Sequence, residues 1–191
     1  MSTLYQVIME NNHLINISIW VVLIISVFLS KDSPNVQWLA VNILFARTLD
    51  IALYEPALKL GGWFYFIMAT QNLLLMALII KRKQIANYIA QFNLSFISRF
   101  ALKSAKDFSL TPNELTYILI LASAALIQTA SLIERGFRKL TDFNPMFIYN
   151  AYPSLMHILT ILSVLVVFSL VIDAYRGFYT RRDSTSRSSS M

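Results

Sequence analysis

Arg47 and Asp50 stand three residues apart inside an otherwise apolar run, Val36 to Tyr54. At that spacing two side chains share one helix face, so each charge lowers the other's cost of leaving water. Charged residues inside a membrane segment mark ion or proton relays, or latches between subunits. A plainer role is open to the same pair, because mutual neutralisation alone makes a marginal helix insertable. His13 and His157 are far apart in sequence and have no acidic ligand set near them, which gives little support for a metal centre. No phosphate-binding glycine loop, HExxH helix, Gly-x-Ser-x-Gly elbow or paired hydrolytic carboxylates occur in the chain. The expectation is therefore a protein with no enzymatic activity and no cofactor.

The elements that must hold the pair are membrane helices. Leu60 to Ile80 is uncharged and runs directly into Lys81, Arg82 and Lys83. A helix of that length rises about 30 Å, the thickness of a hydrocarbon core, and the basic cluster marks its cytoplasmic end. Hydrophobic residues make up 57% of the 191 residues and charged residues 14%, against about 25% charged in soluble domains. The net charge of +6 gathers at the ends of apolar runs, where headgroups and the insertion machinery read it, so direct nucleic-acid binding is not expected. There is no cysteine, which leaves the redox compartment unread. The N-terminus lacks a basic region and a cleavage site, so its first apolar run is expected to be retained as a helix.

Spans are predicted at residues 11–30, 60–80, 115–133 and 152–172, the last trimmed by Pro153. Val36 to Tyr54 is a fifth candidate, burdened by Arg47 and Asp50 at about 2.5 to 3.5 kcal/mol each on insertion scales. If it crosses, eleven Lys and Arg lie on the cytoplasmic side against four outside; if not, the ratio is ten to six. The positive-inside rule favours five spans, with the N-terminus outside and the C-terminus cytoplasmic. The fold class is thus all-α, a polytopic membrane bundle spanning residues 1–179 with a cytoplasmic tail at 180–191.

Between the spans, residues 84–110 carry Ile85, Tyr88, Ile89, Phe92, Phe96 and Phe100 at helical spacing. A basic amphipathic helix on the inner leaflet is predicted, with packing on a partner or second subunit as the alternative. Lys81, Arg82, Lys83, Arg99, Lys103 and Lys106, with Arg181 and Arg182 of the tail, are the candidate lipid- or partner-binding cations. Thr111-Pro112-Asn113-Glu114 has the form of a capping box that starts the next span. Trp63 to Phe66, and Phe147, Tyr149 and Tyr152, read as aromatic anchors at the outer interface. The alternative is that Phe143 to Pro153 forms an outward-facing recognition loop, since two prolines and two asparagines there favour a non-helical path. Ala122, Ala125 and Thr129 form a small-residue face fit for close helix approach, within the chain or between copies in a homo-oligomer. Asn16, Gln71, Asn72 and Gln128 are read as interhelical hydrogen-bonding groups. The tail, Thr180 to Met191, is too polar to bury anything alone and is expected to be disordered.

A chain of this size, with four or five spans, a basic cytoplasmic linker and a basic tail, resembles in overall plan the membrane subunit of the Kiwa anti-phage defence system. The resemblance implies a small oligomeric inner-membrane protein that detects infection and recruits a cytoplasmic DNA-binding partner. It carries over no functional residue. Toxin-immunity proteins, superinfection-exclusion proteins and small channel or transporter subunits share the outline, and the residues leave these alternatives open.

Overall fold

The computed structural model describes residues 12–30, 33–91, 102, 110–141 and 144–188, with side chains described for these except 12–16, 18 and 177–188. Every described element is helical: α1 (Asn12–Leu29), α2 (Pro34–Lys59), a single 3-10 turn (Gly61–Trp63), α3 (Phe64–Ile80), α4 (Arg82–Ala90), α5 (Pro112–Leu140) and α6 (Phe147–Ser188). Four segments are long and apolar enough to cross a membrane: Pro34–Lys59, Gly61–Ile80, Pro112–Leu140 and Phe147–Arg176. The chain is a multi-pass membrane protein. α1 adds 18 helical residues, of which Ile19–Leu29 form a shorter apolar helix.

Local chemistry explains the helix ends. Pro34 and Pro112 stand in the first turns of α2 and α5, where the missing N–H has no intrahelical partner to lose. Thr111 Oγ1 accepts from the Glu114 N–H at 3.2 Å while Glu114 Oε2 accepts from the Thr111 N–H at 2.9 Å. The capping box is formed as its four residues predict. Gly61 takes φ +57°, a left-handed conformation that costs other residues, and it reverses the chain between α2 and α3.

The helices run up and down beside one another. Asn35, Arg82 and Glu114 meet at one end of the bundle, joined there by an Asn113–Asp173 hydrogen bond. Gly62 approaches Arg135, and the Tyr149 N–H donates to Glu134, at the other end. α2, α3, α5 and α6 therefore alternate in direction, and α1 packs along α2 and α6. Leu23, Leu39, Ile43, Leu75, Leu121 and Val167 form the centre of the apolar core. Leu119, Leu126, Ile133, Leu165 and Phe168 point outward and are more than half exposed. In water such a surface would be an aggregation hazard; in hydrocarbon it is the solvated face.

Two sequence expectations give way. Within the stretch from Phe143 to Pro153, residues 147–153 are helical rather than looped: α6 begins at Phe147 and Pro153 lies within it, while residues 144–146 are non-helical. Proline there forfeits one backbone bond near the helix start, which a long membrane helix tolerates. The backbone of α6 also continues to Ser188, past the point where a disordered tail was expected, because elongating an existing helix needs no new nucleus. On α4, Ile85 and Ile89 are half-buried around Ala86 against Trp38 of α2, while Tyr88 of the same predicted apolar face is exposed. Phe92, Phe96, Arg99, Phe100, Lys103 and Lys106 lie outside the described residues.

Candidate functional site: a charged cavity at mid-depth

Near their midpoints α2, α3, α5 and α6 turn polar side chains toward one another. They line an open cavity of about 210 Å³, whose polar lining includes Arg47, Asp50, Gln71, Asn72, Gln128 and Ser163. Volume of that order admits several water molecules or one small solute. Apolar helices must surround it, since unsatisfied polar groups facing lipid cost several kcal/mol each.

The hydrogen bonds cross between helices. Arg47 Nη2 donates to Ser163 Oγ of α6 at 2.9 Å, and Gln71 Nε2 of α3 donates to Asp50 Oδ1 at 2.6 Å. Asn72 Nδ2 donates to Gln128 Oε1 of α5 at 2.8 Å. Arg47 and Asp50 do share a face, with Arg47 Nη1 at 3.8 Å from Asp50 Oδ2. That is an ion pair but too long for a hydrogen bond, so Oδ2 keeps accepting capacity. Gln71 is 5% exposed, and its Oε1 accepts no hydrogen bond from the described residues. The amide orientation is fixed chemically, because Asp50 can only accept and Gln71 must turn its NH₂ toward it. Arg47 and Asp50 are thus tolerated in α2 because each finds a polar partner on another helix.

A second charged site lies at the end of the bundle. Arg82 Nη1 and Glu114 Oε1 are 2.5 Å apart, with side chains 0% and 1% exposed, and Arg82 Nη2 donates to Asn35 Oδ1 at 2.6 Å. Burial pushes the Arg82 guanidinium below its ordinary range, and the Glu114 carboxylate opposes that shift. Arg82 therefore departs from its expected place among the lipid- or partner-binding cations: it clamps α4 to α2 and α5. Lys81 and Lys83, on either side of it, are exposed. The side chains of Arg181 and Arg182 lie outside those described.

The small-residue face is only partly turned inward within the chain. Ala125 is buried, but Ala122 is only partly covered and exposed Thr129 donates to its own Ala125 carbonyl at 2.7 Å. The inward stripe of α5 is instead Tyr117, Ile120, Leu121, Ala124, Gln128 and Ser131, which holds the 3.6-residue period but contains large side chains. His157 is exposed on α6. Of the groups that matter, Gln71, Asn72 and Gln128 were legible as polar residues in apolar runs. Ser163 and Asn35 were not, since a single Ser or Asn near a span carries no signal until its neighbour is known.

Tyr65 and Tyr152 pack edge to face at 5.2 Å, Trp63 and Phe66 at 5.7 Å, and Arg138 sits 5.0 Å above the Tyr149 ring. These aromatic contacts gather at the Gly61 end, away from the Arg82 clamp. Against protein-family models, curated proteins and solved structures the chain gives no match.

Proposed function

We propose that this chain is a non-enzymatic sensor and anchor of the bacterial-type inner membrane, working as a homo-oligomer and holding a cytoplasmic partner. In that reading the Arg82 end faces the cytoplasm, where the positive-inside rule puts Lys81, Lys83 and the tail. One observation carries it: the basic helix α4 is fixed to the spans through a fully buried ion pair at its first residue. A shift of α2 or α5 within the membrane must then move α4 with them, because Asn35, Arg82 and Glu114 are bonded as a unit. A role in anti-phage defence, detecting infection at the membrane, fits this plan. Isolating the protein in mild detergent, with and without residues 180–191, tests it. A soluble companion should co-purify with the full chain and be lost with the tail; an absence of any companion from the native host sinks the anchor reading.

A second reading is favoured by the mid-depth cavity. Charged, amide and hydroxyl groups from four helices line it, as a conducting or transporting subunit would require. Such a protein passes ions or solute when reconstituted alone, and Asp50→Asn abolishes the flux. Silent vesicles rule it out.

A further inference from the structure

We propose that the mid-depth cavity binds a small zwitterion of amino-acid size, its ammonium group on Asp50 and Gln71 and its carboxylate toward Arg47. The inference deepens the sensor reading by naming the ligand class of its membrane site.

Charge comes first. The cavity holds one guanidinium and one carboxylate 3.8 Å apart, so it is balanced before anything enters. A simple cation would meet Arg47 and a simple anion would meet Asp50, and either would leave a net charge among apolar helices. A solute carrying both charges preserves the balance and finds an opposite partner at each end.

Hydrogen-bonding capacity points the same way. Gln71 Oε1 is buried and accepts nothing from the described residues, while Asp50 Oδ2 lies beyond bonding distance of Arg47. Both are acceptors, both belong to side chains already joined by the Gln71–Asp50 bond at 2.6 Å, and together they call for a group with several N–H donors. An ammonium supplies three. A dry apolar guest would leave both acceptors unpaired.

Size and shape complete the case. At about 210 Å³ the cavity is smaller than the roughly 300–1,000 Å³ typical of drug-sized sites. Leu75, Leu121 and Met156 on its walls would cover a short aliphatic side chain.

The test uses the purified full chain in lipid nanodiscs, with thermal unfolding and calorimetry read against glycine, L-alanine, L-leucine, glycine betaine, acetate and methylammonium. Saturable stabilisation by glycine or L-alanine is expected. Betaine has no N–H, and losing its bonds to charged and amide acceptors should weaken binding roughly ten-fold or more. Acetate and methylammonium should not substitute for the joined molecule. Gln71→Leu should weaken the amino acid by about ten-fold, and Arg47→Met/Asp50→Leu, which removes both charges together and so spares the fold, should abolish the response. No saturable effect from any amino acid overturns the proposal. So does equal binding of acetate or methylammonium, or an unchanged response in Gln71→Leu. Failure here alongside intact retention of a cytoplasmic companion would remove the ligand and leave the anchor standing.

Discussion

Arg82 and Glu114, thirty-two residues apart in sequence, form an ion pair 2.5 Å long from which solvent is excluded on both sides. Glu114 also closes the capping box of α5 through its other oxygen. One carboxylate thus starts a membrane helix and fastens the neighbouring surface helix to it.

Removing one member of that pair should be severe. Glu114→Ala or Arg82→Ala leaves a buried charge without its partner and should destabilise the fold by about 3–5 kcal/mol. Arg82→Leu/Glu114→Leu should recover most of that loss. Denaturant unfolding of the four species in mixed micelles measures the coupling.

The cap has its own, smaller contribution. Thr111→Ala removes the acceptor for the Glu114 N–H but leaves the ion pair, and should cost about 1 kcal/mol. Thr111→Ser keeps the hydroxyl and should be nearly silent in the same unfolding assay.

The two glycines between α2 and α3 should respond differently. Gly61→Ala puts a Cβ on a residue at φ +57°, a strain of about 1–2 kcal/mol. Gly62→Ala meets Arg135 Nε at 3.2 Å, but a guanidinium on a flexible stem moves aside. Gly61→Ala should therefore lower the unfolding midpoint clearly and Gly62→Ala little.

Interhelical amides give a fourth outcome. Asn72→Leu breaks the bond to Gln128 between α3 and α5 and should cost about 0.6 to 2 kcal/mol. The double variant Asn72→Leu/Gln128→Leu should lose no more than the worse single one, because no amide is then left unpaired.

Sequence alone determined what depends on composition and on neighbours within a turn or two. Leu60 to Ile80 announces a membrane helix because it is uncharged over the thickness of a bilayer, where its backbone can bond only to itself. Thr111 and Glu114 announce a helix start because both partners of the cap lie three residues apart. Arg47 and Asp50 announce a site because one turn of helix brings them together.

Only the tertiary structure decided which charges face lipid and which face protein. Arg82 looks like Lys81 and Lys83 in sequence, yet it is buried because it meets Asn35 of α2 and Glu114 of α5. The inward stripe of α5 fell on Tyr117, Leu121 and Gln128 rather than on Ala122 and Thr129, since helix rotation is set by what α3 and α6 present to it. The cavity likewise joins Arg47 to Ser163 across 116 residues. The physical reason is range: a local bond is specified by the residues that make it, whereas a contact between helices also depends on their rotation and register, which no single segment encodes.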